Sequence, residues 1–142
     1  MTSSAPVSPL TSGRFIVRLL QRAPEIADVV AEHLDFVDGP FDEALHGETP
    51  NVLLLHMLLG DVLAFAVDTW HSDRRDVTAS VLGVVDDALR DGDEYVENAV
   101  CVSFVEHVGA LPGETPDFIA SWPAGLLAER ERQLEWYRNW RR

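Results

Sequence analysis

Residues 52 to 67, "VLLLHMLLGDVLAFAV", are apolar almost throughout, broken by His56 and Asp61. A helix of that composition has no polar face to offer water, so other helices must enclose it on several sides. It falls short of the roughly 18 uncharged residues that a membrane-spanning helix needs. The expectation is therefore a core helix of an all-α protein. Helical periodicity recurs along the rest of the chain, while the alternation that marks half-buried strands is absent. At 142 residues the chain suits one domain, which buries roughly 68–70% of the surface its unfolded form exposes. We expect a single helical bundle of about six helices spanning residues 13–142, with the third and fifth helices at its centre. Residues 1–12 read as a disordered lead.

The punctuation supports that count. A first helix is expected over Ser12 to Arg22, with Phe15 and Leu19 inward, and a second from Pro24 to about Val37, ended by Asp38-Gly39-Pro40. One helical turn is expected near Phe41 to Leu45. Thr49-Pro50 starts the third helix, which runs to about Trp70. The fourth covers Asp73 to Arg90, with Gly92 suited to the left-handed position that follows a helix end. In the fifth, Asp93 caps the start, Val96, Val100, Phe104 and Val108 form the inner stripe, Ala99, Val102 and Val105 widen it, and Gly109 terminates it. A short turn after Thr115-Pro116 precedes a last helix from Pro123 to Trp140.

Charge divides by segment. Residues 1–23 carry three arginines and no acid, residues 24–122 carry 21 acids against three arginines, and residues 123–142 carry five arginines and three glutamates. The net charge is −13 and all 11 basic residues are arginine. Without lysine there is no Walker A phosphate loop and no Schiff-base chemistry. An anionic body repels nucleic acid and anionic membrane, so the natural partner is a basic surface. One cysteine, Cys101, excludes an internal disulfide; together with the lack of a signal-peptide pattern this leads us to expect a cytoplasmic protein.

The segment "VLGVVDDALRDGDEYVENAVCVSFVEHVG", preceded by "LLLHMLLGDVLAFAVD", resembles a family of small all-helical bacterial proteins of unknown function. The shared pattern is a helix, then Gly92-Asp93, then Val96, Asn98, Val102, Ser103, Phe104 and Glu106 on the next helix. The resemblance spans roughly residues 50 to 110. Members look like the immunity proteins that accompany bacterial polymorphic toxins, so it implies a helical fold and a protein partner, and carries over no catalytic residue.

Several constellations were weighed as sites. Cys101 and His107 stand six positions apart on one helix, about 240° around it, so they do not face each other. Cys101 therefore reads as a small buried core thiol. Asn98 and Ser103 are expected to be buried, Asn98 bonded to a neighbouring helix end or loop and Ser103 to its own backbone. Glu43-x-x-His46 is the one Glu-x-x-His pair, with no second copy for a di-metal site, and no histidine spacing is diagnostic of zinc. No metal and no cofactor is expected. His56, Gly60, Ala64 and Asp68 repeat every four residues, with Gly60 expected to admit the close approach of another helix.

On the second helix Glu25, Asp28, Glu32 and Asp35 fall at steps of three, four and three, opposite Ile26, Val30 and Val37. Like charges at that spacing repel by a few tenths of a kcal/mol per pair, and a merely solvated face more often mixes signs. Asp38 and Asp42 extend the acidic edge. In the last helix Leu127, Leu134 and Tyr137 are expected to be buried, which sets Trp136 and Trp140 on a neighbouring stripe with Arg132. Those tryptophans either cover the bundle or form a protein contact or homodimer seam.

The function this reading favours is non-enzymatic: an immunity protein that neutralises a cognate basic toxin, with Glu25, Asp28, Glu32 and Asp35 as the docking face and Asp38 and Asp42 at its rim. Two alternatives stay open. One is a metal-assisted helical hydrolase using His56, Asp68 and His71; the other is a homodimeric scaffold joined through Arg132, Trp136 and Trp140.

Overall fold

A computed structural model describes residues 10–35, 52–106 and 113–140, without the side chains of residues 33–35 and 52–54. The protein is an all-α bundle, as expected. In chain order its elements are α1 (Ser12–Arg22), a 3-10 turn (Pro24–Ile26) leading into α2 (Ala27–Asp35), α3 (Val52–His71), α4 (Arg75–Asp91), α5 (Glu94–Val100), a π-helical segment (Cys101–Val105), α6 (Pro116–Ala120) and α7 (Ala124–Trp140). Asp38, Asp42, Glu43, His46, His107, Val108 and Gly109, and the turn expected at 41–45, lie outside the described residues.

The α3 helix is the hub. Leu55, Leu58, Leu59, Val62, Leu63 and Ala66 are buried along it, and it packs against α2, α4, α5 and the π segment. One strip stays in water, made of Met57, Asp61, Ala64 and Asp68. The expected role of Gly60 is thereby corrected. Among the described residues no neighbouring atom lies within 4 Å of where its Cβ would stand, so no described helix approaches there. A glycine inside a helix costs roughly 0.5–1 kcal/mol relative to alanine. Gly60→Ala should therefore raise the unfolding free energy by about that amount, read as a higher urea midpoint at unchanged slope.

Packing already includes the residue two places before α1. Leu10, placed in the lead, is buried. Its N–H donates to Asp91 O (2.8 Å) while Asp93 N–H donates to Leu10 O (3.0 Å), an isolated parallel bridge across the α4–α5 junction. Thr11 then caps α1, its hydroxyl accepting from the Arg14 N–H at 3.3 Å. This arrangement also corrects Gly92, which is extended (φ −66°, ψ 154°) rather than left-handed. Glycine is needed there for close approach, since a Cβ would lie 2.3 Å from Ala88 O and 2.7 Å from Val96 Cγ1. Among the described non-glycine residues the one with positive φ is Asp73 (φ 59°), in the turn between α3 and α4, and aspartate is among the residues that tolerate that region.

Asp93 caps α5 as expected, accepting from the Val96 N–H at 2.8 Å. The helix then departs from α geometry. In an unbroken α-helix Val105, seven residues beyond Asn98, would point within about 20° of it. Asn98 is exposed, yet Val105 is only 2% exposed. The wider π turn reconciles the two: Glu106 N–H donates to Cys101 O (3.1 Å), and the extra residue swings Phe104 and Val105 toward the core. Val102 is left on the outside, against expectation.

Thr115 caps α6, accepting from the Phe118 N–H at 3.3 Å. Phe118 and Trp122 are buried and meet edge to face, and Trp122 packs on Phe104 with ring centroids 5.4 Å apart. The start of α7 is held by α4, where Asp86 accepts from the Leu126 N–H at 3.0 Å. Gly125 permits that contact, because a Cβ there would stand 2.5 Å from the Asp86 oxygen.

Candidate functional site

The second half of α7 differs from the expectation. Leu126 is the buried anchor and Leu127 is half-buried, whereas Leu134 and Tyr137 are 38% and 43% exposed. Trp136 and Trp140 do not cover the bundle, at 56% and 72% exposed. The physical reason is length. Only α4 and the π segment offer α7 an extensive contact among the described residues, and the helix continues past them while keeping its apolar pattern.

Where α7 passes the π segment a groove of about 360 Å³ opens. Asn98, Cys101, Val102 and Glu106 form one wall; Arg132, Gln133, Trp136 and Tyr137 form the other. Polar bonds lace the walls together. Arg132 donates two hydrogen bonds to Glu129, Nε to Oε1 (2.8 Å) and Nη2 to Oε2 (2.6 Å), so its charge is already met. Gln133 Nε2 donates to Glu129 Oε2 (2.9 Å) and to the Cys101 carbonyl (3.1 Å), fastening α7 to the π turn. The Tyr137 hydroxyl donates to Glu106 Oε1 at 3.2 Å. Next to it Trp136 meets Tyr137 edge to face at 5.1 Å and stacks on Trp140, the planes within 12°.

These contacts set the electrostatics. The bonds from Arg132 hold the Glu129 carboxyl below the usual range against the opposing effect of burial. Its contribution to stability is present above the ordinary carboxylate pKa and fades as pH falls through the lowered one. Burial first, then the Glu129 carboxylate, push the Cys101 thiol up to about 12. At neutral pH that sulfur is protonated and a poor nucleophile. The hydrogen bond to Glu106 likewise raises the Tyr137 phenol.

The polar groups of the central helices meet in ways the sequence did not show. Ser103 Oγ pairs with His56 Nδ1 at 2.5 Å rather than with its own backbone, and His56 lies edge-on to Tyr95. Asn98, expected to be buried, is exposed and lines the groove. His56 and His71, joined above in a metal site with Asp68, stand about 22 Å apart along one continuous helix. His71 Nε2 instead donates to Gly113 O at 2.6 Å. Among the described residues no group of three or more His, Cys, Asp or Glu side chains converges on a point that could hold an ion.

Along the 3-10 turn and α2, Ile26 and Val30 are buried while Glu25, Asp28 and Glu32 are exposed. The Asp35 side chain lies outside the described residues. None of the ion pairs among the described residues engages these three acids. Sequence reasoning missed the groove. It grouped Arg132, Trp136 and Trp140 on one stripe but paired them with no opposite wall, because no local pattern shows which helix faces α7, although one helix period already turns Asn98 and Val102 away from Val96, Ala99 and Val100.

The chain is thus an all-helical bundle protein with an open aromatic groove and a separate acidic helix face, and no described helix is long and apolar enough to cross a membrane. Residues 16–139 match the family described as Domain of unknown function (DUF7674), and the chain belongs to that family. No curated protein and no solved structure matches it.

Proposed function

We propose that this is a binding protein that recognises a cationic protein through the acidic face of α2, with no catalytic step of its own. The observation that carries the reading is the row Glu25, Asp28 and Glu32, exposed opposite the buried Ile26 and Val30 with no cation paired to it among the described residues. Holding like charges on one helix face costs stability, which a partner of opposite charge offsets on docking. The net charge of −13 adds long-range steering toward a basic surface. The likeness to immunity proteins gives this reading its sharper form: a cytoplasmic neutraliser of a cognate basic toxin, Asp35, Asp38 and Asp42 extending the contact.

The test is low-salt affinity capture from the native host with the whole chain and with a Glu25→Arg, Glu32→Arg double variant. One basic protein should be retained by the natural chain and released by salt. For the variant, association should slow by about tenfold or more with a shallower salt dependence at unchanged helicity. Equal retention by both forms would remove α2 from the interface.

A further inference from the structure

The groove beside the π segment is separate from the acidic face, and its chemistry is specific. Arg132 gives two of its five N–H donors to Glu129, whose carboxylate offsets its charge. Glu106, exposed, meets one neutral phenol among the described residues. Glu106, in no ion pair among the described residues, thus stands beside Tyr137, which touches Trp136, which stacks on the still more exposed Trp140. A carboxylate beside stacked indole rings suits a planar cation, which can lie on a ring while it donates to the acid. A second copy of this chain is the poorer occupant, because it would bring together two bodies of net charge −13.

We propose that this groove seats an arginine side chain of the cationic partner, the guanidinium resting on the Trp136–Trp140 rings and hydrogen-bonded to Glu106. This rests on the reading of a basic protein partner and adds an anchor to it. Arginine is favoured over lysine because its flat guanidinium stacks and bonds at once, whereas an ammonium is a strongly hydrated point charge. Trp and Arg pairs of this kind are enriched where binding energy concentrates.

The experiment titrates N-acetyl-arginine amide into the 15N-labelled full-length chain and follows the four indole N–H signals. N-acetyl-lysine amide and N-acetyl-leucine amide serve as comparisons. The Trp136 and Trp140 signals, assigned with Trp136→Phe and Trp140→Phe, should move with arginine while those of Trp70 and Trp122 stay in place. Lysine should bind about two- to tenfold more weakly, and Glu106→Gln should weaken arginine by a similar factor with circular dichroism unchanged. The Glu25→Arg, Glu32→Arg variant should bind the probe as the natural chain does. Leucine amide acting as well as arginine, silent tryptophans, or shifts that follow protein concentration and so report a second copy would each overturn the proposal. Silent tryptophans alongside partner capture that still depends on Glu25 and Glu32 would sink the groove and spare the α2 reading. Arginine binding without that dependence would do the reverse.

Discussion

Iodoacetamide at pH 8 should modify Cys101 at least about thirtyfold more slowly in the folded protein than in the same chain unfolded in urea. The thiol is raised from its ordinary 9.0 to about 12 by burial and by Glu129. At pH 8 that leaves roughly a thousandfold less thiolate than the unfolded chain holds. The greater intrinsic reactivity of a more basic thiolate returns roughly one to one and a half powers of ten, which gives the net figure. The direction of linkage follows: a raised folded pKa stabilises the protein at pH values below about 9, and that contribution is lost as pH climbs toward 12. Glu129→Gln removes one of the causes and should speed the modification at pH 8. Mass spectrometry of timed aliquots measures both rates. Alkylation of the folded chain at the unfolded rate would mean an activated thiol and would return Cys101 to the list of reactive groups.

Phe104→Ala should cost about 3–5 kcal/mol of unfolding free energy, a large share of the roughly 5–15 kcal/mol typical of a whole domain. Phe104 is fully buried, lies within the π segment and packs on Trp122, which in turn meets Phe118. Removing its ring opens a cavity at the junction of three elements, so neighbours on one helix cannot collapse into it. Urea unfolding followed by tryptophan fluorescence should show a much lower midpoint, with the native signal of Trp122 altered. Phe104→Leu, closer in volume, should lose substantially less. Equal losses from the two variants would argue against tight packing around the ring.

Local punctuation placed many of the helices close to their observed ends. Ser12–Arg22 is bounded by Thr11, whose hydroxyl caps it, and Thr115-Pro116 marks α6 in the same way. The row Glu25, Asp28 and Glu32 was legible because one helix period places acids and Ile26 on opposite faces. Burial that depends on a neighbour was not. Leu134 and Tyr137 have the spacing of core residues, and whether a helix lies over them depends on how far the bundle extends. Gly92 and Gly60 look alike in sequence; one admits the bridge to Leu10 and a tight junction, while the other meets no atom of another described element.

By itself, then, the order of residues determined the helical class, the N-cap at Asp93, the enclosed third helix and the acidic face of α2, because each of these is set by contacts within a few residues or by the period of one helix. Only the tertiary structure decided that Ser103 pairs with His56, that a π turn brings Val105 into the core, and that the end of α7 leaves Trp136 and Trp140 uncovered beside Glu106. Those features depend on which surfaces meet across long stretches of chain, and no local period encodes that meeting.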